Sequence, residues 1–307
     1  MPPPIRAASV ARIWAATRND EPDMLSYRHA CHAGNHADVL KHLTQMLILQ
    51  SLRRKEKPFL YLDTHAGAGR YDLQTALAEK TREYEQGIAR VLAAADKQLP
   101  APLRDYVQLI TAMNPAAELR YYPGSPWLAE GLLRGQDRAR LYELHPADQR
   151  LLAATMAQSD KRVQLCKADG FHALKADLPP LEKRGLILID PPYEIKTDYT
   201  TVVKAVQAGY QRFATGIYAI WYPVVQRATV DDLEQAFQAS GIRAILQCEL
   251  NVRADSTEYG MTGSGMLVIN PPWQLADQLG AALPWLVDCL AQDSAANGRV
   301  RMLVGEA

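Results

Sequence analysis

The fold of this chain is indicated first by the stretch Gly185-Leu186-Ile187-Leu188-Ile189-Asp190-Pro191-Pro192-Tyr193. Its four consecutive aliphatic residues predict a strand that is buried on both faces, as in a parallel sheet. The two prolines cannot donate hydrogen bonds to a sheet, so the strand must end before them. Asp190, the proline turn and the Tyr193 ring are therefore expected at the carboxyl edge of the strands, where α/β proteins bind ligands.

A second apolar strand runs into a glycine turn in the stretch Phe59-Leu60-Tyr61-Leu62-Asp63-Thr64-His65-Ala66-Gly67-Ala68-Gly69-Arg70. The Gly-x-Gly turn lets backbone approach a ligand where a side chain would collide. A dinucleotide-binding fingerprint would need a third glycine at the position of Asp72. Its absence favours a ligand with one nucleotide.

The rest of the chain alternates predicted strands and helices, which indicates an α/β fold with a seven-stranded Rossmann-like sheet. The further strands are expected near residues 140–144, 163–169, 216–221, 244–252 and 265–269, and helices at 38–52, 199–213, 230–240 and 283–290.

Residues 71–120 are helical in pattern, at 79–94 and 103–112, and they delay the next strand beyond its usual place in a doubly wound fold. We interpret them as an inserted small helical subdomain in a domain made of residues 24–70 and 121–307. Residues 1–23 differ in composition and are predicted to be a disordered extension.

Composition excludes several classes of protein. The 307 residues carry a formal net charge of +0, so contact with nucleic acid must come from local basic patches. The cysteines contain no Cys-x-x-Cys pair and no apolar run is long enough to span a membrane, which fits a cytoplasmic protein. The candidate basic patches are Arg53-Arg54-Lys55 with Lys57, Arg134 with Arg138 and Arg140, Lys161-Arg162, and Lys183-Arg184.

Four of the seven histidines lie before or in the predicted 38–52 helix, at His29, His32, His36 and His42. The spacing of His32 and His36 would allow a shared zinc ion on one helix face. Gly34-Asn35 interrupts the helix between them, however, and no nearby cysteine or glutamate completes a ligand set. We therefore expect no metal.

The string Asp190-Pro191-Pro192-Tyr193 resembles the catalytic motif of S-adenosylmethionine-dependent methyltransferases that act on exocyclic adenine nitrogens. The plainer alternative is a strand that ends in a proline turn with a surface tyrosine. Asn270-Pro271-Pro272-Trp273 imitates this string, but the last strand of a methyltransferase sheet runs antiparallel, so we interpret this second turn as structural.

From Met24 onward the chain resembles the RlmJ family of bacterial 23S ribosomal RNA adenine-N6 methyltransferases, which implies a class I methyltransferase sheet. Residues 1–23 have no counterpart in this resemblance. The motifs that carry it are Tyr27-Arg28-His29, residues 34–42, residues 62–71, residues 121–126, Glu143-Leu144-His145-Pro146, residues 167–171, and Ile189 to Glu194.

The resemblance implies S-adenosylmethionine as cosubstrate and no metal. It implies Asp190, Pro191 and Tyr193 as catalytic residues and Tyr27 as a residue that touches RNA. Cofactor contacts are implied for Lys41, His42, His65, Gly67, Ser125, Glu143, Asp169, Gly170 and Asp190.

Each cofactor role has a physical reason and a plainer alternative. Glu143 can accept both ribose hydroxyls, or it can be a helix-capping acid. Asp169 can accept from the adenine amino group beside Gly170, or it can be an ordinary N-cap. His42, His65 and Ser125 can hydrogen-bond the methionine end, or they can be satisfied polar groups of the core.

The implied partner is 23S ribosomal RNA, naked or early in assembly, bound by a monomer. A DNA adenine-N6 methyltransferase is the nearest alternative, and only the helical insertion could then supply a DNA-reading domain. A glutamine-N5 methyltransferase would more usually carry Asn at position 190. A non-catalytic, cofactor-binding RNA module is disfavoured by the acid at that position.

Overall fold

The computed structural model describes residues 28–95, 98–116, 118–194, 197–256 and 260–306. The strands are β1 Leu60–Asp63, β2 Arg70–Asp72, β3 Tyr121–Pro123, β4 Arg138–Tyr142, β5 Val163–Cys166, β6 Gly185–Ile189, β7 Ile217–Val224, β8 Ile245–Asn251, β9 Gly263–Ile269 and β10 Asn297–Val304. The α-helices are α1 His36–Arg53, α2 Ala76–Thr81, α3 Ile88–Ala94, α4 Ala101–Met113, α5 Ser125–Leu132, α6 Pro146–Thr155, α7 Gly170–Ala176, α8 Thr197–Arg212, α9 Arg227–Gln238 and α10 Leu275–Leu290.

The main sheet has the strand order β10-β8-β9-β7-β6-β1-β4-β5. Strands β5, β4, β1, β6 and β7 pair in parallel, whereas β9 is antiparallel to both β7 and β8. The chain moves outward from β1 through β4 to β5 and then returns to β6, so the order reverses between β1 and β6. Ligands of open α/β sheets bind at such a reversal, outside the carboxyl ends of the strands.

The α/β, Rossmann-like fold is confirmed, but the sheet has eight strands and not seven. The additional strand is β10, which pairs antiparallel with β8. Its sequence alternates arginines with apolar residues, and Arg299 and Arg301 both donate to the Glu234 carboxylate on α9. Every residue of β10 is exposed or half-buried, so the sequence contains no buried apolar run there, which is why this strand was not predicted.

Helices cover both faces of the sheet and produce two hydrophobic clusters. Side chains of β6 alternate between them, with Leu186 and Leu188 in one cluster and Ile187 and Ile189 in the other. Helices α1, α3, α4, α5 and α10 pack in the first cluster, and α7, α8 and α9 in the second. This double coverage explains the continuous aliphatic run before Asp190.

Residues 73–120 connect the two strands of a separate ribbon, in which β2 pairs antiparallel with β3, so the segment 71–120 begins within β2. The single helix predicted at 79–94 is wrong, because the segment divides into α2, a 3₁₀ turn at Glu83–Glu85, and α3. The break lies where Gly87 meets the loop before α1. A Cβ at Gly87 would lie 2.1 Å from the Gly34 carbonyl oxygen, which already accepts from the Ile88 N–H.

The Asn270 turn lies at the opposite edge of the sheet from Asp190, because β9 runs against β6 and β7. This is the position expected for it. Across the described ranges, every helix is too short or too polar to cross a membrane.

Candidate active site

One cleft opens at the carboxyl edge of the sheet, beside the reversal between β1 and β6. It draws residues from the ends of four parallel strands and from the first turns of α1. The lining includes all nine residues for which the resemblance implied a cofactor contact: Lys41, His42, His65, Gly67, Ser125, Glu143, Asp169, Gly170 and Asp190.

The glycine turn after β1 is shaped by its own tyrosine. Gly67 has φ +60°, and a Cβ there would lie 2.3 Å from the Tyr71 hydroxyl oxygen. Gly69 also has positive φ, at +75°. Both positions therefore need glycine, which leaves backbone bare on the cleft side of the turn.

Glu143 follows β4 and holds the glycine turn in place. One carboxylate oxygen accepts from the Gly67 N–H at 2.8 Å, and the other accepts from the His145 N–H at 2.7 Å. Each oxygen keeps one lone pair for a further donor, so the pair of ribose hydroxyls remains a chemically suitable ligand. Burial raises the pKa of Glu143 to about 7, although the two backbone donors lower it.

Asp169 is the N-cap of α7, since its side chain accepts from the Phe171 N–H at 2.9 Å. The plainer alternative for this residue therefore holds, and its second oxygen, 3.9 Å from His172 Nε2, can still accept from a ligand. Position 170 needs glycine, because a Cβ there would lie 1.8 Å from the carbonyl oxygen of Thr64, the residue after β1. The start of α7 therefore packs directly against the end of β1.

Ser125 is oriented by a buried carboxyl group that sequence reasoning left without a role. Its hydroxyl donates to Asp63 Oδ2 at 2.6 Å, and the Tyr61 hydroxyl donates to the same oxygen at 2.6 Å. Because its hydrogen is used, Ser125 offers only lone pairs to the cleft, which suits an ammonium donor. Burial raises the pKa of Asp63 to about 6.

Lys41 pairs with the carboxylate of Asp190. Its ammonium lies 2.5 Å from Asp190 Oδ2 and 2.9 Å from Asp38 Oδ1. Burial alone would lower the pKa of Lys41, but these two carboxylates outweigh it and raise the pKa above its usual value. The lysine is therefore a permanent cation that holds Asp190 in one orientation.

Asp38 supports this arrangement from the first turn of α1. Its carboxylate is buried and accepts from the Gly34 N–H at 2.9 Å and contacts His29 Nε2 at 3.0 Å. Burial would raise its pKa, but the charges of His29 and Lys41 hold it well below the usual range. Asp38 was not among the predicted site residues; the spacing of Asp38, Lys41 and His42 at i, i+3 and i+4 is the sequence signal that could have indicated this cluster.

Tyr193 has φ +52°, which is uncommon for a bulky residue. Its hydroxyl donates to the Trp221 carbonyl oxygen at 2.7 Å, and its ring centroid lies 4.5 Å from that of Tyr199. Trp221 lies beside Asp190, because Ile189 and Ile220 are partners in the pairing of β6 and β7. The strained tyrosine is thus held by groups from β7 and α8, and Pro191 before it is buried.

Two of the four histidines that line the cleft, His42 and His65, are neutral at physiological pH. Burial lowers the pKa of His42 to about 3 and that of His65 to about 4. His42 Nδ1 lies 2.8 Å from the Tyr122 hydroxyl, and His65 Nδ1 lies 2.8 Å from the Thr64 hydroxyl. Each can offer its other ring nitrogen to a ligand as a neutral group.

His32 and His36, the two histidines of the rejected zinc alternative, have different surroundings. His32 Nδ1 pairs with Glu83 at 2.8 Å, whereas burial lowers the pKa of His36 to about 4. Within the described ranges, no three His, Cys, Asp or Glu side chains are grouped as a metal site would require.

The basic patches singled out from the sequence mostly lie at the opposite edge of the sheet, near the amino ends of the parallel strands. Arg134 donates to Asp137 and to backbone carbonyls of residues 53, 55 and 57. Arg138 pairs with Glu182, and Arg140 pairs with Asp177. These cations join elements of the protein, and the cleft lies at the other edge. Tyr27, predicted to touch RNA, lies outside the described residues.

The chain is similar to known proteins over most of its length. A family model described as "RsmJ: Ribosomal RNA large subunit methyltransferase D, RlmJ" matches residues 56–303. Ribosomal RNA large subunit methyltransferase J of Escherichia coli (strain K12) is 56% identical over 283 residues, which are 92% of this chain and 100% of the relative. The protein of the same name from Haemophilus influenzae is 52% identical over 284 residues, with 92% of this chain and 100% of the relative covered.

A solved structure extends the similarity to three dimensions. Protein LPL1258 from Legionella pneumophila superimposes with a TM-score of 0.82 at 38% sequence identity. The superposition covers 88% of this chain and 98% of that one. Similarity to these proteins therefore extends over most of the chain.

Proposed function

The chain belongs to the ribosomal RNA large subunit methyltransferase J family, and from this premise we propose that it methylates the N6 amino group of an adenine in 23S ribosomal RNA, with S-adenosylmethionine as the methyl donor. The observation that carries the proposal is the position of Asp190. Its carboxylate, held by Lys41 at 2.5 Å, faces the same cleft as Glu143, Asp169 and Ser125.

The donor supplies a methyl group on a sulfonium, which is a good leaving group. We assign its ribose hydroxyls to Glu143, its adenine amino group to Asp169 beside Gly170, and its ammonium to Ser125. Neutral His42 and His65 offer ring nitrogens to the methionine end. Lys41 can also reach that end, although its shortest contact is with Asp190.

The acceptor nitrogen is a poor nucleophile because its lone pair is delocalised into the ring. Asp190 and the Pro191 carbonyl accept hydrogen bonds from this amino group, which aims the lone pair at the methyl carbon. Tyr193 stacks on the adenine, which must be flipped out or unpaired to enter the cleft. Asp190 also stabilises the positive charge that develops on the nitrogen. No residue role requires a metal.

Other parts of the assignment rest on the family and on position along the chain. We propose that residues 71–120 are an insertion in a methyltransferase domain built from residues 24–70 and 121–307, with Tyr27 contacting the RNA. We also propose that the protein works as a cytoplasmic monomer on naked or early-assembly ribosomal RNA.

The test is methyl transfer by the purified chain to transcribed 23S ribosomal RNA, followed by mass spectrometry of the nucleosides. We expect one N6-methyladenosine per RNA, formed at least about 100-fold more slowly with Asp190→Asn. Preferential methylation of duplex DNA would favour the DNA-directed alternative. Tight cofactor binding without a methylated product on either nucleic acid would favour a non-catalytic module.

A further inference from the structure

The ribbon of β2 and β3 has two faces that differ in chemistry. Register places Tyr71 opposite Tyr122, and it places Asp72 opposite Tyr121. Facing partners in an antiparallel ribbon point to the same side, so the two tyrosines at 71 and 122 share one face. Both are buried, and they contact the cleft through the His29 ring, 5.3 Å from Tyr71, and through the His42 bond to Tyr122.

The other face, which we term the ribbon face, consists of Arg70, Asp72 and Tyr121 together with the adjoining Arg120. Two guanidinium groups lie over the Tyr121 ring, Arg70 at 4.8 Å and Arg120 at 5.0 Å from its centroid. Arg120 is also paired with Asp72 at 3.0 Å and is 48% exposed. Arg70 and Tyr121 are half-buried, so the ribbon face offers a partly exposed aromatic ring and two planar cations.

Arg70 differs from the arginines at the far edge of the sheet. Among the residues that the structure describes, its guanidinium has no recorded hydrogen bond or carboxylate partner, and the Tyr121 ring is its contact. Arg134, Arg138 and Arg140 at the far edge are all paired with carboxylates. The donors of Arg70 are thus available for a ligand.

The ribbon face also lies close to the cleft. Arg70 follows Gly67 by three residues, so their Cα atoms are separated by at most about 11 Å. The Gly124 N–H donates to the Gly69 carbonyl oxygen at 2.8 Å, which fixes the ribbon against the glycine turn. A strand of nucleic acid whose base occupies the cleft would extend its neighbouring nucleotides over distances of this size.

We propose that the ribbon face is a binding site for an unpaired nucleotide of the RNA substrate, close in the chain to the methylated adenine. Tyr121 and its two guanidinium planes stack with the base, and Arg70 pairs with a phosphate. Stacking of this kind needs a base that is not enclosed in a duplex, which selects a loop, bulge or single strand. An acidic protein segment would use the cations without needing the ring.

This inference rests on the proposed function, and its test measures RNA binding and methylation separately. Arg70→Ala and Tyr121→Ala are compared with the wild-type chain, Tyr121→Phe serves as the variant that keeps the ring, and Lys161→Ala serves as a charge-matched control at the far edge. The measurements are kcat and KM for a 23S ribosomal RNA fragment, the Kd for S-adenosylmethionine, and RNA binding by fluorescence anisotropy at several salt concentrations.

We expect Arg70→Ala and Tyr121→Ala to raise the RNA KM and Kd about tenfold, within the range of one lost stacking contact, with kcat and cofactor Kd nearly unchanged. Arg70→Ala should also reduce the salt dependence of RNA binding by about one counterion. Tyr121→Phe and Lys161→Ala should behave as wild type.

Several outcomes would overturn the inference. Unchanged RNA binding in both alanine variants would remove the ribbon face from the substrate site. A loss of RNA affinity in Arg70→Ala with none in Tyr121→Ala would mean that the face attracts RNA by charge alone. An equal loss of cofactor affinity in these variants would mean that the ribbon only shapes the cleft. A wild-type chain that binds RNA through this face without methylating it would refute the proposed function and retain the inference, and one that does neither would refute both.

Discussion

Two turns of this protein have nearly the same sequence and opposite surroundings. Asp190-Pro191-Pro192-Tyr193 and Asn270-Pro271-Pro272-Trp273 each follow a buried strand, and each contains a residue at φ +52°. In the first, Asp190 contacts the Lys41 ammonium and Tyr193 is held by Trp221. In the second, the Asn270 amide donates to the Ala214 and Gly216 carbonyl oxygens, and Trp273 is 79% exposed.

Strand direction explains the difference. β6 is parallel to its neighbours β1 and β7, so its carboxyl end meets the loops that follow the other parallel strands. β9 is antiparallel to β7, so the same kind of turn lies beside the start of β7. A polar residue before a proline turn can therefore take part in catalysis only where the sheet places other functional residues at the same edge.

Reciprocal exchange of the two polar residues tests whether the two turns differ in function, and it should give the largest effect. Asp190→Asn should lower kcat by about 10²–10⁴-fold, the usual contribution of a group that acts on the transferring proton or amine. Cofactor affinity should stay near wild type. Asn270→Asp should leave kcat unchanged and destabilise the protein by about 1–3 kcal/mol, since a carboxylate cannot donate to the two carbonyls. Steady-state kinetics, calorimetric cofactor binding and denaturant unfolding measure the three quantities. Near-normal turnover in Asp190→Asn would refute the catalytic assignment.

The aromatic residues of the two turns provide a second, smaller contrast. Tyr193→Ala should lower kcat/KM for RNA about 5–100-fold, which corresponds to one lost base-stacking contact. Trp273→Ala should change neither kinetics nor stability, because the ring lies in solvent. Methylation of the RNA fragment by both variants is the measurement. Equal loss of activity in the two would mean that the Asn270 turn also reaches the substrate.

A Glu143 variant should separate two functions at the edge that holds Asp190, namely cofactor binding and catalysis. Glu143→Ala should weaken cofactor binding by about 1.5–3 kcal/mol, the value of hydrogen bonds to a charged group. At saturating cofactor, most of the turnover should return, in contrast to Asp190→Asn. Calorimetry and kinetics at raised cofactor concentration decide this. Unchanged cofactor affinity would show that the acid only holds the Gly67 turn.

Cofactor affinity should depend on pH, because the edge that holds Asp190 contains carboxyl groups with raised pKa. The Asn270 turn contains no titratable side chain. Burial raises the pKa of Glu143 to about 7, and only the ionised form can accept both ribose hydroxyls. Cofactor affinity should therefore rise from pH 6 to pH 8 and then level off. Glu143→Gln should remove most of this dependence. A flat wild-type profile would contradict the ribose assignment.

The stability of the ligand-free protein should change in the opposite sense. A carboxyl whose folded pKa exceeds its unfolded value binds its proton more tightly when folded, so its stabilising contribution is complete below the unfolded pKa. That contribution is lost as pH rises through about 7 for Glu143 and about 6 for Asp63. Thermal unfolding between pH 5 and pH 8 should show this decline, and Glu143→Gln should show less of it.

The sheet and the motif residues were predictable because their signals are local. The aliphatic run before Asp190, the glycines at 67 and 69 and the acids after β4 and β5 each follow from a few neighbouring residues. All nine predicted cofactor residues line one cleft: six follow parallel strands that end at the same edge, and Lys41, His42 and Ser125 come from α1 and α5.

The unpredicted features depend on pairs that are far apart in sequence. Lys41 and Asp190 are separated by 149 positions, and Ser125 and Asp63 by 62, so no local pattern relates them. The break before α3 depends on contact between Gly87 and the loop at Gly34. Neighbours of this kind exist only after the chain has folded.

The eighth strand has a consequence for how the protein avoids aggregation. All seven residues of β8 are buried, so without β10 a long buried strand would form an open edge that could pair with another chain. β10 moves the open edge to a partly exposed strand that carries Arg299 and Arg301 and contains an irregular pairing after Met302. Charge and irregular pairing both discourage the addition of another strand, so β10 limits pairing of this edge with another copy of the chain.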